Sequence, residues 1–284
     1  GTFVFWKDLF HPITSFVGVI DQESVNYGFF TQNSGSYKIG DHFNRYRFGF
    51  TSHLSDTSAK VWANNGGKAG ALTGNTDQSA QNVIIYGENS FHVTPKLALV
   101  TTLQYVWSNR DVFDKISPGE TDGADYDSIN PKVGLLYKPS EKVQLFTNIS
   151  KSYEAPDFSD LTQGSTSGFV TLDAQEAWTL ELGTRGERGP IAWDISLYRA
   201  WVDNEILKFT TGGGVPSTGF NADKTIHQGA EVGVGVQLGR SLLTKGDRLK
   251  WWNAYTFSDF SFVSDSQFRD NTIPGQPAHF YNAE

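Results

Sequence analysis

Residues 143–185 read VQLFTNISKSYEAPDFSDLTQGSTSGFVTLDAQEAWTLELGTR, and they contain one full unit of the pattern that the rest of the chain repeats. Val143, Leu145, Thr147 and Ile149 alternate with Gln144, Phe146, Asn148 and Ser150. Period-two alternation separates a mostly apolar face from a mostly polar one, as in a strand with oil on one side and water on the other. A long polar stretch follows, and then a returning strand places Trp178, Leu180 and Leu182 opposite Thr179, Glu181 and Arg185.

Working outward, the same alternation recurs. It is seen in His42 to Leu54, Val83 to Val93, Leu97 to Ser108, Pro131 to Tyr137, Ile191 to Asp203, Ile226 to Leu238 and Leu249 to Phe257. Gly1 to Phe10 and Asn26 to Asn33 read as further strands, and Ala278 to Glu284 begins another. His11 to Asp21, Ser55 to Gln81, Asn109 to Asn130 and Asn204 to Thr225 show no period and read as loops. Short turn signals fall near residues 39, 95, 140, 188 and 243, and each interval between them holds two strands and a long loop. Short turns at one rim with long loops at the other are the asymmetry of an outer-membrane barrel, whereas a soluble sandwich would turn every 8–12 residues or so.

Composition agrees. Of 284 residues 38% are hydrophobic while 14% are aromatic, a mix that suits a barrel with a wet lumen and aromatic girdles. No apolar run reaches the roughly 18 residues of a membrane helix. Cysteine and methionine are both absent, which removes disulfides, thiolate chemistry and thioether copper sites. The net charge of −8 comes without a long basic block, so nucleic acid is not an expected partner.

Asn148, Ser150, Pro156, Phe158 and Leu161, followed by Leu172, Ala174, Gln175, Glu181 and Gly183, form a pattern that resembles the C-terminal barrel half of TonB-dependent outer-membrane receptors. Asn221 with Gly229 and Glu231 continues the resemblance. It implies an all-β fold, a transmembrane antiparallel up-and-down β-barrel, of which about 11–12 strands are present out of about 22. Residues 1–284 are then expected to be a barrel-domain fragment whose plug domain and final strands are absent. The implied location is the outer membrane of a Gram-negative bacterium, among lipid and lipopolysaccharide. The implied activity is receptor-mediated uptake of a scarce nutrient, most commonly a ferric siderophore, with no enzymatic step and no cofactor. The ferric chelate is the cargo. The TonB–ExbB–ExbD complex would act through the plug. A passive porin or an outer-membrane barrel enzyme is the competing class.

The register predicts Tyr46, Phe48, Phe50, Leu103, Leu180, Leu197, Val232 and Val234 facing lipid, with Arg45, Arg47, Glu181, Arg185 and Glu231 facing the lumen. Trp107, Tyr153, Trp201, Trp251 and Trp252 sit where girdle aromatics belong. A bulky, partly aromatic and anionic chelate would need ring faces and cationic donors at the loop rim. Arg110, Tyr153, Phe158, Phe169, Phe209, Phe220 and Arg269 supply them. The acidic stretch Asp111 to Asp127 reads either as a cation site or as a solvated surface. Gly164 to Gly168 has threonine where a hydrolase elbow needs its nucleophile, Ser52 and His53 point to opposite faces, and Gly212 to Gly214 follows no βα unit. The histidines show no metal spacing.

Overall fold

The computed structural model describes residues 1–14, 18–162, 169–209, 218–242 and 244–284. Twelve antiparallel strands form a single sheet in which each strand lies between its sequence neighbours, β1 to β12. They are β1 Thr2–Thr14, β2 Gly18–Ile39, β3 His42–Asn65, β4 Lys68–Thr94, β5 Leu97–Asp114 and β6 Asp122–Ser140. Then come β7 Val143–Glu154, β8 Gln175–Arg188, β9 Ile191–Phe209, β10 Thr218–Arg240, β11 Arg248–Phe262 and β12 His279–Ala283. A four-residue helix, α1 Phe158–Leu161, and a 3₁₀ turn at Pro118–Glu120 are the helical elements among the described residues. β1 and β12 stand at the two edges of the sheet.

The expected orientation holds along the ladders, because residues paired across antiparallel strands share a face. Leu182 sits between Thr147 and Leu197, Val232 between Ile195 and Tyr255, and Phe50 beside Ile85. Phe48, Leu103, Leu180 and Leu197 are all exposed on that outer face. The inner face carries Arg47 beside Glu88, Arg185 between Gln144 and Asp194, and Glu231 between Ser196 and Thr256. Trp251 and Trp252 are neighbours and so divide: Trp251 belongs to the outer girdle with Val236, while Trp252 faces inward over Gly235.

Strand ends are where the expectation fails. His11 to Asp21 is mostly strand, with β1 running to Thr14 and β2 starting at Gly18. Ser55 to Gln81 is a continuous ribbon of β3 and β4, closed by Gly66 and Gly67 at φ 64° and 86°. Within Asn109 to Asn130, β5 persists to Asp114 and β6 resumes at Asp122, and β9 and β10 extend far into the segment Asn204 to Thr225. The reason is common to all: beyond the bilayer neither face must be apolar, so alternation disappears while ladder hydrogen bonds continue. The rim is therefore uneven. β3 and β4 are 24 and 27 residues long, whereas β7 and β8 are 12 and 14.

On the inner wall, aromatic rings lie over glycines. A Cβ on Gly183 would overlap the Phe146 ring, and one on Gly229 would overlap both the Phe257 carbonyl oxygen and the Tyr198 ring. These glycines are positions of close approach rather than of unusual backbone. Gly229→Val is expected to lower barrel stability by about 1–3 kcal/mol, because both the backbone of β11 and the Tyr198 ring must yield. The temperature at which heat-resistant migration on a gel is lost measures this, and an unchanged temperature would refute the close packing.

Candidate functional site

The short strands β7 and β8 are joined by a loop that folds inward. Pro156, which lacks an N–H, ends the β7 ladder and is buried. Asp157 then caps α1 in a reciprocal box: its Oδ1 accepts from the Asp160 N–H at 3.0 Å, and Asp160 Oδ2 accepts from the Asp157 N–H at 2.9 Å. Burial pushes the Asp157 carboxyl up, but the Ser159 hydroxyl, the Lys208 charge and the Asp160 N–H outweigh it and hold it below its ordinary value. Leu161 and Leu172 are buried apolar side chains of this loop.

Side chains from both flanks hold this loop. From β5, Arg110 donates from Nε to the Pro156 carbonyl at 3.1 Å and from its terminal nitrogens to Asn109 O at 2.8 Å, Gln81 O at 3.5 Å and Asn82 Oδ1 at 3.0 Å. From β6, the Tyr126 hydroxyl donates to the Leu172 carbonyl at 3.1 Å. From β10, Asn221 donates to the Asp173 carbonyl at 2.9 Å and the Asn204 carbonyl at 2.8 Å, while its Oδ1 accepts from the Asp173 N–H at 2.8 Å. Lys208 on β9 pairs with Asp160 at 2.7 Å. The loop thus bridges the concave face from β5 to β10.

A second cluster adjoins it. Ala222, Phe262 and Ile273 are buried together, with Leu207, Phe220, Phe260 and Phe268 packed around them. Asp265 organises the turn after β11 by accepting from the Gln267, Phe268 and Asp223 N–H groups at 2.8, 2.7 and 3.2 Å. Burial pushes the Asp265 carboxyl up, yet these bonds leave it below its ordinary value. Below the cluster, Glu205 is buried and one of its oxygens accepts from Thr225 and meets His227 at 3.0 Å, with the His227 ring stacked 4.1 Å over Phe260. The sequence reading did not select Glu205, Thr225 or His227. Asn204 at φ 56° precedes Glu205, and no sequence period announces such a left-handed residue.

Six of the seven expected ligand residues fall into two groups, Arg110, Tyr153, Phe158 and Phe169 at the inward loop and Phe220 and Arg269 at the turn after β11. Arg110 is 9% exposed and engaged as a brace. Tyr153 is half-buried, with a hydroxyl that has no partner among the described residues. Phe158 opens α1 and Phe169 bridges to Thr162, both half-buried. Phe220 packs at a tilt against Phe268 at 5.6 Å, and Arg269 is exposed at φ 58°. The Phe209 side chain lies outside the described residues, as do Gly164 to Gly168 and Gly212 to Gly214. Burial pulls the Arg110 guanidinium down and pushes the Tyr126 and Tyr153 phenols up, so both phenols stay neutral at pH 7. The acidic stretch Asp111 to Asp127 is divided between β5, β6 and the turn joining them, and among the described residues no group of three or more metal-binding side chains converges.

A family profile described as "TonB dependent receptor-like, beta-barrel" matches residues 6–284. The chain belongs to that family. Solved structures share the fold at low identity. The ferric citrate transporter FecA in its unliganded form superposes with a TM-score of 0.73 at 16% identity, covering 93% of this chain and 39% of FecA. The ferripyoverdine receptor of the Pseudomonas aeruginosa outer membrane, bound to ferripyoverdine, gives 0.70 at 13%, covering 93% and 36%. The copper transporter OprC gives 0.68 at 11%, covering 91% and 42%. This chain therefore spans well under half the length of these proteins.

Within the TonB-dependent receptor barrel, the motif residues prove to be fasteners. Asn148 donates to Glu181 at 2.8 Å across β7 and β8, and the Gln175 side chain accepts from the Ile206 N–H at 3.0 Å. Pro156 and Asn221 anchor the inward loop, and Gly183 and Gly229 seat aromatic rings.

Proposed function

We propose that this barrel belongs to a Gram-negative outer-membrane receptor that takes up a ferric chelate with energy delivered by TonB–ExbB–ExbD through a plug domain. The observation that carries the reading is the inward loop between β7 and β8, held from β5 and β10 on a barrel of this family. In this reading the loop and the turn after β11 contribute Phe158, Phe169, Phe220 and Arg269, with Tyr153 at the end of β7, and rings with a cation suit an aromatic, anionic chelate. Arg110 belongs to the same proposed set as its buried member, and Phe209 as the member at the end of β9. Ferric citrate and ferripyoverdine are named for the similar structures. A copper cargo is less well supported, because this chain has neither the methionine nor the cysteine that soft copper ligation favours. Receptors and transporters, not enzymes, make up the family.

The test uses the full-length receptor in cells supplied with an iron-loaded siderophore. Uptake should stop when a protonophore collapses the energy source, and continued uptake would favour the passive-porin reading. Phe158→Ala combined with Arg269→Ala should weaken chelate affinity without changing heat-resistant migration. Unchanged affinity would remove this rim from the binding site.

A further inference from the structure

The outer face is charged differently on its two sides. Across β2 to β5, the outward register above the apolar band carries Asp21, Glu23, Asp56, Asp77 and Asp111 against Lys60, and Lys115 pairs with Asp77 at 2.6 Å. Across β7 to β10 it carries Lys151, Arg199 and Lys224 among aromatic rings, with Glu176 and Asp203. Trp178 and Trp201 are directly paired, with Lys151 beside Trp178. Arg199 pairs with exposed Leu180 and Gln228, which fixes its side chain on the lipid-facing register.

Two of these cations are already matched. Lys151 meets Glu176 at 2.8 Å, and Lys224 meets Asp203 at 3.8 Å. Asp259 accepts from Gln228 at 2.8 Å and stands two strands from Arg199, about 10 Å away at ordinary strand spacing. Arg199 has no carboxylate within ion-pair distance among the described residues. Its guanidinium leans up the strand instead, 5.4 Å over the Trp201 ring. A cation rooted at the edge of an apolar band and leaning toward a tryptophan belt is snorkelling to the headgroup level. An unpaired guanidinium at that level is matched by phosphate.

We infer that Arg199, flanked by Trp178 and Trp201, binds the phosphate of a phosphorylated lipid in the outer leaflet. The inference rests on the outer-membrane placement proposed above but not on the cargo. The full-length receptor would be placed in phosphatidylcholine nanodiscs containing lipid A, either bearing its phosphates or dephosphorylated, and lipid A per barrel counted by native mass spectrometry. A surface cation contributes about 1 kcal/mol to such binding, so the native receptor should prefer the phosphorylated form about fivefold. Arg199→Ala should abolish the preference, Arg199→Lys should keep most of it, and Asp56→Asn on the acidic side should leave it intact. A native receptor without preference, or an Arg199→Ala variant that retains it, overturns the assignment. Loss of the preference in millimolar orthophosphate would show a free-anion site and overturn it too. Chelate affinity measured on the same variants should not move, and heat-resistant migration reports separately on whether the barrel has assembled in the bilayer at all.

Discussion

Val232→Arg will destabilise the assembled barrel by about 2–4 kcal/mol, the cost of a cation on the lipid face near the bilayer midplane. Val232 lies between Ile195 and Tyr255 on the outer register, and its neighbours along β10, Ala230 and Val234, face the same way. Among the described residues no carboxylate pairs across the ladder with this position, so the guanidinium must reach water by climbing the wall. Ser196→Arg is the matched control, since Ser196 lies on the inner register beside Glu231, where a new cation gains a partner in a wet lumen. Urea unfolding in phospholipid vesicles, followed by tryptophan fluorescence, reads both variants. Equal loss of stability in the two would mean that the faces are assigned wrongly.

Arg110→Ala is expected to release the inward loop. The substitution removes the donors to Pro156, Gln81, Asn109 and Asn82, and leaves the Pro156 carbonyl without its bond in a buried setting. Charged hydrogen bonds and an orphaned buried acceptor together suggest a local loss of about 3 kcal/mol. Amide exchange across 157–162 should then accelerate about a hundredfold while the β7 and β8 ladders keep their protection. Lysine restores the charge but not the fork, so Arg110→Lys should recover only part of the protection. If exchange in this segment is unchanged in Arg110→Ala, the loop is held by Asn221, Tyr126 and Lys208 without it.

The membrane-spanning portion of this fold was legible because lipid and lumen make opposite demands on alternate residues. Val143 to Ile149 and Trp178 to Leu182 carry that signal without help from any partner. Strand ends were not legible by the same rule, since a ladder in water tolerates polar residues on both sides. A different local signal was available there. Asn64 Oδ1 accepts from the Gly67 N–H at 2.7 Å, and an Asn-Gly-Gly run between extended segments is itself a hairpin mark. The rim site was legible only as chemistry. Rings and cations could be listed, but Arg110 looked like a free donor because nothing local shows that its bonds go to residues as distant in sequence as Pro156. Glu205 was invisible for the complementary reason, since its inward turn depends on the backbone of Asn204.

The unequal strands give this sheet an oblique rim. On the side of β3 and β4, about 80 Å of extended chain stands against about 40 Å at β7, at roughly 3.3 Å per residue. Across these twelve strands the rim is therefore a slope, tall along β3 and β4 and low at β7 and β8, so the inward loop lies behind the low part of the wall and not the high part.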